Sequence, residues 1–165
     1  MKTRALKRAF VVLLLQSGVM GSPTLAAQQS FGQPADERAA QDALPKSSNP
    51  LWGQFLKCKV GYNNKSGLYS IAVTPEVKAL AGKTVMLNGF VLPLDGSDHT
   101  KHFLLTRRTP VCMYCPPGEP NEVTEVVSPY PIVWTNKMVT VKGPLSLIDN
   151  RENAIFFKID ATEVK

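Results

Sequence analysis

Through the second half of the chain, apolar and polar side chains alternate in short runs, the period-two signature of strands that bury one face. Val139-Thr140-Val141-Lys142 alternates, and the pattern resumes at Leu145-Ser146-Leu147 after Gly143-Pro144, which predicts one long strand interrupted by a bulge or corner. Phe157-Lys158-Ile159-Asp160 alternates in the same way. Residues 84–92 are rich in strand formers around a central Gly89, where the strand is expected to bend or bulge, and residues 93–98 read as a turn. Further β-rich runs at 101–106, 122–127, 138–148 and 154–164 are separated by Pro, Gly and Asn clusters. One helix is predicted over 75–81, with Thr74 as N-cap, Pro75 at the first helical position and Gly82 just past the end. Trp52, Trp134, Phe90, Phe103, Phe156 and Phe157 are assigned to the core. Five or six short, bent strands with one helix close most economically as a Greek-key barrel, so the expected fold is mainly β, a small OB-like antiparallel barrel, with a small sandwich as the alternative.

The first half has a different grain. A basic start is followed by the apolar run Ala9-Phe10-Val11-Val12-Leu13-Leu14-Leu15, then Gly18, Gly21, Pro23 and the small-residue exit Thr24-Leu25-Ala26. This predicts a cleaved signal peptide over residues 1–26. The apolar stretch 9–20 is shorter than the roughly 20 residues that a spanning helix needs, and no later segment supplies one, so no stable membrane insertion is expected. No cysteine follows the exit to mark a lipoprotein. In a Gram-negative host the compartment would be the periplasm, where thiols meet an oxidising environment. Residues 27–50, rich in Gln, Ala, Ser and Pro, read as a flexible linker or weakly helical arm, which leaves residues 51–165 as one folded domain. The formal charge of +6 shrinks once the leader is set aside: four of its 19 basic residues lie within the first eight positions, leaving 15 basic against 13 acidic. So small a balance, without a basic run, gives no footprint for nucleic acid.

Candidate chemistry is concentrated in one window. His99, His102, Cys112 and Cys115 fall within 17 residues, spaced H-x2-H-x9-C-x2-C. Zinc takes four such ligands in a tetrahedron, and two cysteines two residues apart can both reach one ion from a short loop. The histidines can join them only if their strand pairs near the cysteine loop. Met113, between the cysteines, adds a soft ligand and keeps Cu(I) as the alternative metal. The same C-x2-C could instead close as a disulfide, with Cys58 left as an odd thiol in the core. Thiol–disulfide catalysis fits less well. Pro116 and Pro117 follow Cys115, remove two amide donors and oppose a helix start beneath the sulfurs. Glu119, Glu122 and Glu125 read as surface charge, with Glu119 or Glu122 as a carboxylate that could orient a ligating histidine. No hydrolase elbow, metalloprotease helix or phosphate loop is present, so no catalytic residue is assigned and a non-enzymatic role is expected.

The loop Cys112-Met113-Tyr114-Cys115-Pro116-Pro117-Gly118-Glu119-Pro120-Asn121-Glu122 resembles that of an exported bacterial family, domain of unknown function 3299. Leu80-Ala81-Gly82-Lys83-Thr84-Val85, Gly89-Phe90-Val91-Leu92-Pro93-Leu94 and His102-Phe103-Leu104-Leu105 carry the resemblance further, over about residues 52–164. In the family pattern the cysteine is followed, after one residue, by a histidine. Here Tyr114 stands at that position and Cys115 supplies a second thiol one residue later. The resemblance implies export and a shared loop, in a setting that includes ABC-type transport systems, some linked to zinc supply. The resulting expectation is a periplasmic metal-binding accessory or chaperone, with zinc held by Cys112, Cys115, His102 and His99 and a transporter component as partner. The alternatives are a disulfide-stapled interaction module and, after it, a thiol oxidoreductase.

Overall fold

A computed structural model describes residues 35–111 and 117–165 of the chain. The chain enters through α1 (Ala35–Asp42) and α2 (Pro50–Phe55), forms a hairpin of β1 (Lys59–Asn63) and β2 (Leu68–Ala72), and passes through α3 (Pro75–Lys78). It then lays down β3 (Thr84–Pro93), β4 (His99–Thr106), β5 (Val123–Val133), β6 (Val139–Asn150), β7 (Ile155–Asp160) and the short β8 (Glu163–Val164), with a 3₁₀ turn at Pro120–Glu122 leading into β5. The main sheet runs β3-β4-β5-β7-β6, and β6 pairs back onto β3 to close the barrel. Every barrel pairing is antiparallel except β5 with β7. This is the OB-like barrel that the alternation predicts.

Two glycines make the closure possible. β3 pairs with β6 from Thr84 to Gly89 and with β4 from Phe90 to Pro93, while β6 pairs with β3 as far as Pro144 and with β7 from Leu145 onward. Each long strand serves two neighbours and turns its corner at a glycine, as a small barrel requires. A Cβ on Gly89 would lie 2.5 Å from the carbonyl oxygen of Thr106, and one on Gly143 would run into the carbonyl of Asp160. The expected interruption at Gly143-Pro144 is this corner.

Inside the barrel Leu87, Phe103, Leu105, Val126, Val141, Leu145, Phe157 and Ile159 form one buried cluster. Burying a side chain of this size stabilises by about 1.5–3 kcal/mol. α2 packs against that cluster. Phe55 stacks on Phe157 with ring centroids 4.2 Å apart, Trp52 meets Phe55 edge-on at 5.8 Å, and the Trp52 indole N–H donates to the Asn88 carbonyl at 2.8 Å. Cys58 belongs to the same core, as a buried free thiol.

Local signals explain the helices. In α3 the Thr74 hydroxyl accepts from the Val77 N–H and Pro75 opens the helix, which ends at Lys78, three residues earlier than expected. α2 and the β1–β2 hairpin lie outside the sequence expectation. The signal for α2 was present: the Asn49 side chain accepts from the Leu51 N–H and Pro50 sits at the first helical position. Residues 35–50 also depart from a free linker, since α1 docks on the body of the protein and Ser47 is buried with its hydroxyl on the Asn88 side-chain oxygen at 2.6 Å. The folded unit therefore starts by Ala35 rather than near Leu51. Trp134 departs in the other direction: it is 49% exposed, not core. The signal-peptide expectation lies outside the described residues. Among those described, no helix is long and apolar enough to cross a membrane.

Candidate functional site

β4 ends at Thr106, and the chain makes one excursion before the 3₁₀ turn brings it back to β5. Cys112 and Cys115 sit on that excursion and lie outside the described residues, but its two ends are in place. They are joined by a buried carboxylate. The Glu122 side chain is 2% exposed and receives Arg107 Nη1 and Arg108 Nε at 2.7 Å each, the Glu119 backbone N–H at 3.3 Å, and Arg38 Nη1 at 3.7 Å. The Arg107 N–H also donates to the Glu122 carbonyl, at 2.9 Å. Burial opposes the Glu122 charge, but hydrogen bonds from Arg108 and Arg107 and the Arg108 charge outweigh it and hold the carboxyl below the ordinary glutamate value. Glu119 goes the other way: burial raises it, and the Arg38 guanidinium at 2.9 Å only partly offsets that.

α1 crosses this neck. Arg38 bridges Glu119 and Glu122, and Asp42 pairs with Arg108 and, at 2.7 Å, with Lys46. Gln41 is wholly buried, and its amide nitrogen donates to the carbonyls of Thr109 and Pro117 at 3.1 Å each. Among the described residues its Oε1 has no hydrogen-bond partner, a state that costs a buried acceptor about 1–3 kcal/mol. Asn121 ties the returning chain to the core by donating to the Cys58 carbonyl at 3.0 Å.

The histidines lie further along β4. His99 opens the strand opposite Val133 and is exposed; His102 stands opposite Val127, half-exposed. Four residues of strand, about 13 Å, separate His102 from Thr106 at the neck end. Nε2 of His102 lies 2.6 Å from Glu125 Oε1, so Glu125, not Glu119 or Glu122, is the carboxylate that orients it. Among the described residues no group of three or more His, Cys, Asp or Glu side chains is placed to hold a metal ion. The burial of Glu122 corrects the surface reading of that residue. The signal that could have found it is the Arg107-Arg108 pair at the strand exit, which needs a buried counter-charge if the chain returns beside it.

A cleft of about 490 Å³ lies beside the neck. β6 begins at Val139, opposite Gly89, so residues 90–93 of β3 have no β6 partner, and they line the cleft together with Trp134, Thr135 and Asn136 of the β5–β6 connection. Phe90, Val111, Asp98 and Trp134 are among the lining residues. Val111 immediately precedes Cys112, and Asp98 immediately precedes His99.

A family model described as a protein of unknown function, DUF3299, matches residues 33–164. No curated protein matches the chain. Among solved structures, a DUF3299 family protein from Pseudomonas aeruginosa PAO1 is similar at 20% identity, over 81% of this chain and 80% of its own, with a TM-score of 0.49.

Proposed function

This chain belongs to the DUF3299 family, whose function is unknown, and on that footing we propose that it is an exported, periplasmic metal-binding protein, an accessory or chaperone to a transport system rather than an enzyme. Cys112 and Cys115 are its thiolate ligands, zinc is the first metal and Cu(I) the alternative, and a transporter component is the partner that receives the ion. One observation carries the reading. Both ends of the C-x2-C excursion are fixed to the barrel by the buried Glu122–Arg107–Arg108 cluster, so the segment is a closed loop on a rigid base. Two thiols held in a short closed loop lose less entropy on ligating an ion than the same thiols in an open chain. His99 adjoins a lining residue of the cleft that Val111 also lines, which favours it as the imidazole nearer Cys112. His102, with Nε2 on Glu125, keeps Nδ1 for a ligand in the carboxylate–histidine manner.

The second reading, a disulfide-stapled interaction module, draws support from the cleft with its half-exposed Trp134. Thiol exchange is the weakest: the chain returning from the cysteines forms a three-residue 3₁₀ turn, not a helix whose amides would stabilise a thiolate. Elemental analysis with thiol counting on protein from its native compartment separates these readings. Near-stoichiometric zinc or copper, lost in a Cys112→Ser, Cys115→Ser double variant, is the expected result. Metal-free protein with Cys112 and Cys115 oxidised, and Cys58 titrating only after unfolding, would overturn the proposal in favour of the stapled module.

A further inference from the structure

The last residues of β3 form an edge that β6 does not cover. Thr140 of β6 exchanges both of its backbone hydrogen bonds with Lys165, so the residues of β6 that face β3 are Val139 and Val141, opposite Gly89 and Leu87. Val91, two residues beyond Gly89, faces the same way. The other edge of β3 agrees: the Leu94 N–H donates to the His102 carbonyl at 3.3 Å, so in this stretch the even-numbered residues turn their backbone groups to β4. The register would place Lys137 across from Val91, but β6 has not begun there, and the Lys137 N–H donates to the Thr135 hydroxyl at 3.2 Å. Among the described residues the Val91 N–H and carbonyl and the Pro93 carbonyl therefore have no strand partner.

These groups belong to the cleft. Val91 and Pro93 both line it, and Val91 is 2% exposed, so its backbone pair sits in a slot rather than on an open sheet edge. Sheets protect bare edges from chance pairing, and an edge recessed in this way admits an extended chain and little else. A buried donor and acceptor that lack protein partners favour a ligand that supplies both. An acyl chain offers neither, whereas extended peptide backbone offers them at every second residue, the spacing of Val91 and Pro93. The side chains add a charge preference. Phe90, Val111 and Trp134 make much of the lining apolar, and Asp98 is its one charged residue. Asp98 takes part in no ion pair among the described residues, so a lysine or arginine on the occupant would complement it.

We propose that this cleft is a peptide-docking groove: an extended segment of a partner protein adds to β3 as a strand, exchanging two hydrogen bonds with Val91 and donating one to the Pro93 carbonyl, with an apolar side chain against Phe90 and Trp134 and a lysine or arginine on Asp98. Proline at position 93 has no N–H to give, so the ladder stops there and the docked strand is short. The groove uses no metal and stands apart from the metal-binding reading.

The test uses fluorescein-labelled heptapeptides of threonine that carry one phenylalanine and one lysine at varied spacing, added to the full exported chain with chelator present and followed by anisotropy. At least one spacing should bind saturably. Asp98 is exposed, so Asp98→Asn keeps the fold, and it should weaken that peptide about threefold, an effect that vanishes when the peptide lysine is replaced by norleucine. Methylating the peptide amides one at a time should cost about tenfold at alternate positions and little between them. The Val91 amide resonance should move downfield on peptide addition while that of Leu92, turned to β4, moves little. Failure of every peptide to bind at about 1 mM would overturn the proposal, as would binding indifferent to both Asp98→Asn and amide methylation. Sedimentation with phosphatidylglycerol vesicles, or self-association of the chain, either one lost in Trp134→Ala and found without peptide binding, would overturn it in favour of a lipid surface or a second copy.

Discussion

At Glu122 two guanidinium groups and a backbone amide converge on a carboxylate removed from water. Replacing it by glutamine keeps the shape but leaves Arg107 and Arg108 facing a neutral group, and breaking a pair so placed costs about 3–5 kcal/mol. Arg107 keeps some contact with water, so Glu122→Gln is expected near the lower figure, read from the urea midpoint. The pH dependence follows from the direction of the shift. Because the folded carboxyl lies below its ordinary value, the stability it adds is fully present above the unfolded glutamate pKa of about 4.3 and drains as pH falls through the folded one. Glu119, raised by burial, has the opposite sign: its contribution is present at acid pH and lost as pH rises through its folded value. Melting temperature followed from about pH 6 to pH 3 should therefore fall more steeply in the parent than in Glu122→Gln. Little of this was legible in the sequence. Glu119, Glu122 and Glu125 are evenly spaced and look alike, yet one is buried under arginines, one is half-buried against Arg38, and one holds His102. What distinguishes them is which residues from other segments arrive beside them.

Among the elements, β3 and β6 were the most legible, since alternation marks a strand and a glycine within it marks a bend. Their corners also give the sharpest contrast in substitution. Gly89→Ala and Gly143→Ala each drive a methyl into a facing backbone carbonyl, and overpacking of this kind costs about 1–3 kcal/mol, read by thermal unfolding. Gly53 lies in α2 with nothing within 4 Å of a Cβ, so Gly53→Ala should stabilise by about 0.4–1 kcal/mol in the same assay. A result in which all three glycines respond alike would remove the corner account of barrel closure. The docking of α1, within a stretch read as a linker or weakly helical arm, was illegible for the converse reason. A helix that docks by charge has no apolar period to find, and its composition is that of a linker.

For the whole molecule, residues 35–50 belong to the fold rather than preceding it. Ser47 donates its backbone N–H to the Arg107 carbonyl at 2.8 Å, Asn49 caps α2 and reaches the Met86 carbonyl at 3.2 Å, and α1 spans the loop neck. At about 1 kcal/mol for a cap and 0.5–1.5 for each hydrogen bond, a chain beginning at Leu51 should lose about 3 kcal/mol relative to the full exported chain, measured by chemical denaturation. Equal stability of the two chains would return the boundary to residue 51.

The sequence by itself determined the barrel strands, the turn at 93–98, the Thr74 cap, the barrel class and the loop that marks the family, because each depends on residues close together along the chain: period-two burial, a proline or glycine at a fixed offset, a short motif. Tertiary structure alone decided that Glu122 is buried and Trp134 is not, that Glu125 is the partner of His102, and that Gln41 reaches across to Thr109 and Pro117. These are pairings between segments whose meeting is set by closure of the barrel, and a one-dimensional pattern carries no record of which distant residue will stand opposite.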